Sequence, residues 1–333
     1  MKATFRLGKH PARFDSRVPR LEAHLTRANL PAPPAKKDWP GVSKVADWAV
    51  MLNNQLGDCV IAAKGHAILL WTALSGAHQQ VLLPDSAVLA GYEAVGGYVP
   101  GNPSTDNGCD MLTAAQYFLS AGFGGHRISA FATLGIGRSM SISHWQEAIN
   151  LFGVVDIGLA LPAAWQSLTN AGDVWDVDPH GRVSGDWAPG SWGGHDVPLM
   201  GYDSVAKVYK FITWGQVQYV TEAALQVYCE EAYTYLSPDW LYNGTAPNLY
   251  QLADLQRDLQ LESAKSAPKI NWPALLAFVR NLIQKYGPAA VPLIESLIAT
   301  LPLSPVQIAA IDQLIQTVLG AKATLVSEMT RGF

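Results

Sequence analysis

The hydrophobic pattern of this 333-residue chain changes period near residue 153, and that switch constrains the fold more than any other feature. Upstream, apolar residues recur at helical spacing over residues 59–74, 110–121 and 144–152. Downstream, VVDIGLAL (154–161), HDVPLMGYD (195–203), KVYKFIT (207–213) and VQYVT (217–221) are short and rich in β-branched or aromatic residues. They are bounded by Gly, Asp or Pro, as strands are. Residues 222–235 return to a helical pattern, with Glu230, Glu231 and the surrounding tyrosines expected on one helix face. Helices first and strands second predict an α+β domain with two lobes.

Around that domain, 46–256, lie two appendages. Residues 1–45 contain LPAPPAKKDWPG (30–41), whose prolines favour an extended arm. RDLQLESAKSAPKI (257–270) is polar and predicts a linker. Beyond it, 271–333 holds three apolar helical patterns, at 271–286, 288–300 and 304–319. The last opens on Ser304, Pro305 and Gln307, a capping box with proline in the first turn, and stops at Gly320.

Composition narrows the function classes. Hydrophobic content of 49% against 15% charged residues supports a sizeable core and argues against wholesale disorder. A net charge of −4 argues against general nucleic-acid binding. The basic start MKATFRLGKHPARFDSR lacks the apolar stretch of a secretory signal, and the most apolar tail segment, 296–311, is short for a membrane span and holds Pro302 and Pro305. Three well-separated cysteines, Cys59, Cys109 and Cys229, fit a reducing compartment. The expectation is a soluble, cytoplasmic protein, with a virion as the alternative location.

Cys59 stands where the turn-prone NNQLGD (53–58) meets an unbroken apolar helix. Gly57 permits a sharp turn and Asp58 suits the N-cap position. A thiolate in the first turn would sit beside unpaired amides and the positive end of the helix dipole, which lowers a cysteine pKa, while Asp58 opposes it. The competing reading is a small buried core residue. Of eight histidines, His10, His24, His78 and His180 occupy polar loop contexts, His126 and His144 fit structural roles, and His66 lies two turns along the same helix as Cys59. His195 follows a glycine pair at the start of an apolar strand, where a general base on a cleft rim would sit.

In their order and spacing these segments resemble the papain-like cysteine peptidase superfamily, including its bacteriocin-processing relatives. GDCVIAAKGHAILLW matches the family's catalytic-cysteine helix, and GGHDVPLMGYD its histidine strand with a later Gly-Tyr pair. FITWG (211–215) matches the strand ending in Trp-Gly, and DNGCDMLTAAQYFLSAGF (106–123) and HWQEAINLFGVVDIGLAL (144–161) match the intervening elements. The resemblance spans about 46–245. It implies a helical lobe, an antiparallel β lobe and a Cys59–His195 dyad acting by covalent acyl transfer on a peptide or amide bond, without a cofactor. The family's histidine-orienting Asn falls on Ile212, which cannot accept a hydrogen bond, leaving Thr213, Asp196 or a backbone carbonyl to substitute. Its oxyanion-donating Gln falls on Asn53, with Gln55 nearby. The cysteine that would pair with Cys109 falls on Leu56. Trp214 would shield the histidine, and Trp187 and Trp192 would line the cleft or pack as ordinary aromatics.

Other constellations carry less. DVWDVDP (173–179) lacks the glycine and closing glutamate of a calcium loop and fits a solvated hairpin around PHGR. TLGIGRS (133–139) lacks the Lys-Ser/Thr pair of a phosphate loop, and Cys109 and Cys229 have no companions at zinc-ligand spacing. No metal is expected. The leading function is a cysteine-dependent hydrolase. The rival is a catalytically idle papain-like scaffold for binding or assembly, as in a phage particle or secretion apparatus, with a protein partner docked through the C-terminal helices. A dyad-dependent acyltransferase or transglutaminase-like enzyme is the third.

Overall fold

A helix that is apolar on every side is stable only when it is enclosed. The segment Cys59–Leu74 is such a helix, and all sixteen of its residues are buried. The computed structural model describes residues 5–13, 15–22, 32–75, 79–136, 142–248, 272–291, 294 and 310–320. It divides into two units, Met1–Asp258 and Leu259–Phe333.

In the first unit the described helices are α1 (Trp39–Ser43), α2 (Cys59–Leu74), α3 (Asp85–Gly96), α4 (Met111–Ser120), α5 (Ile142–Phe152) and α6 (Glu222–Tyr228). Local chemistry sets several of their starts. Asp38 accepts from the Gly41 N–H, Asp110 from Thr113 and Thr221 from Ala224, each satisfying an otherwise orphaned donor. Asp58 occupies the N-cap position of α2 but makes no such side-chain bond.

The strands are β1 (Lys36–Asp38), β2 (Ala130–Ile136), β3 (Val155–Leu161), β4 (Val174–Trp175), β5 (Gly193–Asp203), β6 (Val208–Thr213), β7 (Gln216–Thr221) and β8 (Cys229–Leu236). They form one sheet in the order β2-β8-β3-β5-β6-β7-β4, with β1 also paired to β5. Every pairing is antiparallel except β4 with β7. Helix α2 packs on β5, so the helix that opens with Cys59 rests on the strand that opens beside His195. This is the α+β architecture that the change of period predicts.

Two polar groups on α2 are accommodated inside the core. Lys64 is fully buried and donates to Asp156 on β3 and, at 2.7 Å, to Asp196 on β5, while the Tyr235 hydroxyl also donates to Asp156. Burial alone would pull the Lys64 ammonium down, but the two carboxylates reverse that and hold it charged. His66 Nε2 meets the Ala49 carbonyl at 3.0 Å, and burial lowers its pKa to about 4.

The structure corrects the helix expected over 222–235. Helix α6 stops at Tyr228, and Cys229–Leu236 is a strand between β2 and β3. Glu230 and Glu231 therefore lie on a strand, where the pairing with β3 skips Glu230 and both carboxylates reach Lys9. Backbone ladders on both sides of β8 outweigh the helical propensity of its glutamates and alanine. Strand β2, which takes in part of TLGIGRS, and helix α3 were not anticipated. DVWDVDP is not a solvated hairpin throughout: Asp178 does close a turn with Gly181 and Arg182, but Trp175 is fully buried.

In the second unit α7 (Trp272–Tyr286), the turn Gly287–Ala290 and helical residues 310–320 bury Val279, Ile283, Ala290, Ile294, Ile311 and Ile315 together. The linker 257–270, most of the helix at 288–300 and the capping signal at Ser304, Pro305 and Gln307 lie outside the described residues. No described helix is long and apolar enough to cross a membrane.

Candidate active site

Cys59 is the first residue of α2 and is 1% exposed. Its sulfur faces the backbone N–H groups of Asp196 and Gly8. Burial pushes the thiol up to about 12, with the Asp196 carboxylate adding to the effect against the pull of those amides. Asp58 is fully buried and accepts from the Asn53 amide at 3.2 Å. Burial lifts its carboxyl well above the usual range, against that hydrogen bond, so it is biased toward the neutral form and repels a thiolate less than an exposed aspartate would.

His195 pairs with Leu159 across β3–β5 and is fully buried. Its Nε2 meets the Thr213 Oγ1 at 2.7 Å. Its ring stacks on Trp214, with centroids 4.7 Å apart and planes at 22°, and Trp175 stands 6.5 Å away. Nδ1 is buried without a hydrogen-bond partner. Burial lowers the imidazole pKa to about 3. Thiol and imidazole are therefore both held neutral. The fold brings the Cys59 sulfur to the amide of the residue that follows His195.

The remaining candidates divide. Thr213 meets the histidine, whereas Asp196 points from the opposite face of β5 into the Lys64 pair. Ile212 is core. Trp192 packs 5.9 Å from Trp214, and the Trp187 carbonyl accepts from the Tyr228 hydroxyl. Asn53 is buried, with its amide nitrogen donating to Leu56 O at 3.1 Å and to Asp58, so it braces the loop before α2. Gln55 is exposed. Trp175 was missed because its aspartate-rich neighbourhood suggested solvent; the clue was a tryptophan at the centre of that run.

Sequence reasoning also missed what covers Cys59 and the start of β5. Residues 5–10, FRLGKH, run across it as an extended strap. Phe5 packs on Trp214 at 4.4 Å, and the Arg6 carbonyl accepts from Trp214 Nε1 at 3.4 Å. The N–H groups of Gly8 and Lys9 both donate to Gly194 O, at 3.2 and 3.1 Å. On the other side Cys109 N–H donates to Gly8 O at 2.8 Å and His10 N–H to Cys109 O at 3.0 Å, a parallel bridge. Glycines make the passage narrow enough: a Cβ at Gly108 would lie 1.9 Å from Gly8 O, and one at Gly194 would lie 2.2 Å from Lys9 O.

Among the described residues no cluster of three or more His, Cys, Asp or Glu side chains is placed to hold a metal ion. The three cysteines form no disulfide.

A thiol at the head of an enclosed helix, set against a histidine strand in a largely antiparallel sheet, is the papain-like arrangement, and the chain has a divergent papain-like fold. It is similar to xylellain, a cysteine protease from Xylella fastidiosa, with a TM-score of 0.50 and 12% identity over 71% of this chain and 97% of that one. ProCathepsin B S9 from Trypanosoma congolense aligns at TM-score 0.46 and 14% identity, over 70% of this chain and 87% of that one. The cysteine protease and lectin-like domains of Cwp84, a surface layer associated protein of Clostridium difficile, align at 0.47 and 11%, over 70% and 56%. At these identities the likeness is one of fold. No family model matches the chain, and no curated protein matches it in sequence.

Proposed function

We propose that the chain is a cysteine-dependent hydrolase of peptide or amide bonds, held latent by its own residues 5–10. One observation supports the reading: a helix-opening thiol faces the amide of Asp196, the residue next to an imidazole clamped between Thr213 and Trp214, and residues 5–10 cross there as extended backbone. An Nε2–H donated to Thr213 leaves the Nδ1 lone pair as the base. With the strap withdrawn, Nδ1 takes the Cys59 proton and the thiolate attacks the acyl carbon. The Cys59 N–H, unpaired at the helix start, stabilises the oxyanion, and Gln55 is the exposed side chain able to turn in beside it. The imidazolium protonates the leaving amine. Water, activated by the neutral imidazole, then cleaves the thioester, releasing the acid and restoring the thiol.

The idle scaffold is the second reading, favoured by Ile212 at the usual Asn position and by the commitment of the Asn53 amide to its own loop. A small alkylating probe at pH 6 separates the two. A Cβ at Gly8 would lie 1.8 Å from Gly57 O, so Gly8→Val displaces the strap, with the Gly8 N–H that faces the Cys59 sulfur, and leaves the Cys59 and His195 side chains unaltered. For a hydrolase, labelling is slow in the parent chain, fast in Gly8→Val, absent from Cys59→Ala/Gly8→Val and slowed by His195→Ala. Labelling of Gly8→Val no faster than an ordinary thiol, and indifferent to His195→Ala, establishes the scaffold.

A further inference from the structure

Lys9 is the one strap residue whose side chain is wholly enclosed. Its ammonium lies 2.8 Å from Glu230 Oε2, 3.1 Å from Glu231 Oε1 and 2.8 Å from the His10 carbonyl. Glu231 is fully buried on β8, whereas the Glu230 side chain is 40% exposed at the rim. The aliphatic stem crosses β3 at Gly158, where a Cβ would lie 2.0 Å from Lys9 Cε and 2.7 Å from the Met111 sulfur. Any larger residue there would close the space that the stem occupies. An enclosed carboxylate at the end of an apolar channel is costly unless a cation reaches it. Burial lifts the Glu231 carboxyl above its usual range against the pull of Lys9. Around this channel the strap is held by backbone: Gly194 O takes two N–H groups and Cys109 gives and takes one bond each. Backbone capture along the track with one deep side-chain pocket is how an extended peptide is read.

The geometry points to a lysine-selecting peptide subsite: the Gly158–Met111–Glu231 pocket takes the lysine side chain of an extended peptide substrate, and Lys9 occupies it as a ligand supplied by the chain itself. This rests on the hydrolase reading for the word substrate; peptide binding and its lysine preference stand without it. A shorter or neutral side chain leaves the buried Glu231 with the Tyr233 hydroxyl, 3.2 Å from Oε2, but no cation against it. Arginine would have to fit a planar fork into a channel that, as it stands, holds a single ammonium.

The test measures binding rather than turnover, so its outcome is separate from that of the alkylation experiment. In full-length Cys59→Ala/Lys9→Glu, the glutamate opposes Glu230 and Glu231 and ejects the strap. A fluorescent peptide of sequence FRLGKH is titrated by anisotropy against versions with norleucine or arginine at the lysine. The lysine peptide is expected to bind, and the norleucine peptide to bind about 30-fold more weakly or worse, the usual effect of losing one partner of a buried charge pair. Adding Glu231→Gln is expected to remove that preference. Equal affinity for lysine and norleucine, or a preference that survives Glu231→Gln, overturns the proposal. A second measurement uses the native strap in full-length Cys59→Ala. Amine acylation followed by mass spectrometry is expected to spare Lys9 until millimolar lysine peptide displaces it, with norleucine peptide ineffective. Acylation of Lys9 as fast as exposed Lys36 without peptide, or equal displacement by both peptides, also overturns it.

Discussion

Lys64→Met isolates the charge of the buried network on the face of β5 opposite His195. Methionine keeps the unbranched stem and removes the ammonium. In the parent, Lys64 and Asp196 side chains are 0% exposed and Asp156 is 1% exposed, so no water is at hand to replace the lost cation. Removing one partner of such a set costs about 3–5 kcal/mol. For a folding unit of this size each kcal/mol moves the midpoint by about 2–4 °C, giving a fall of roughly 6–20 °C by calorimetry at pH 7. The cost has a definite pH signature. Without the cation, Asp196, whose carboxyl burial already lifts well above the usual range, holds its proton more tightly in the folded state than in the parent, whereas the unfolded states are alike. The variant therefore gains stability relative to the parent as pH falls from 7 toward 4, by up to about 1.4 kcal/mol per pH unit for each extra proton bound. Adding Asp156→Asn and Asp196→Asn removes the stranded charges and is expected to recover most of the loss. A cost below about 1 kcal/mol, or a deficit that widens on acidification, refutes the reasoning.

Further outcomes follow from other contacts. Thr213→Val strips the His195 Nε2 of its partner and is expected to cost about 1–3 kcal/mol in urea unfolding and to slow Cys59 alkylation in the strap-displaced chain, with Thr213→Ser restoring both. His66 has a folded pKa of about 4, below the ordinary histidine value near 6.5, so its contribution is present above pH 6.5 and is lost as pH falls toward 4. The stability difference between parent and His66→Gln should accordingly shrink by about 1.4 kcal/mol per pH unit across that window, and a flat difference would show that His66 is solvated. With no disulfide, the unfolding midpoint is expected to be the same with and without reductant.

The parts of this fold that were legible are those whose pattern has one solution. Residues 59–74 are apolar all round and had to be enclosed, and the β-branched run after residue 153 had to be sheet. His195 was singled out by the glycines before it, and it lies buried at the start of β5. What stayed hidden depended on distant partners. Cys229–Leu236 carries residues fit for helix or strand, and only its two neighbouring strands decide between them. Glu231 looks like a surface residue until Lys9, near the other end of the chain, is set against it. The strap has no periodicity, and its site is marked by glycines scattered across four separate loops and strands. Asn53 holds the spacing of an oxyanion donor, but its nearest carbonyl and carboxylate claim it first.

Strand β5 sets His195 and Asp196 back to back. Were the strand to slip by one position, the carboxylate would be driven against the Trp214 face and the imidazole against the Lys64 ammonium, so both sides would become electrostatically wrong at once. The pair thus acts as a proofreader of assembly: only the alignment that stacks His195 on Trp214 also neutralises the cation behind it.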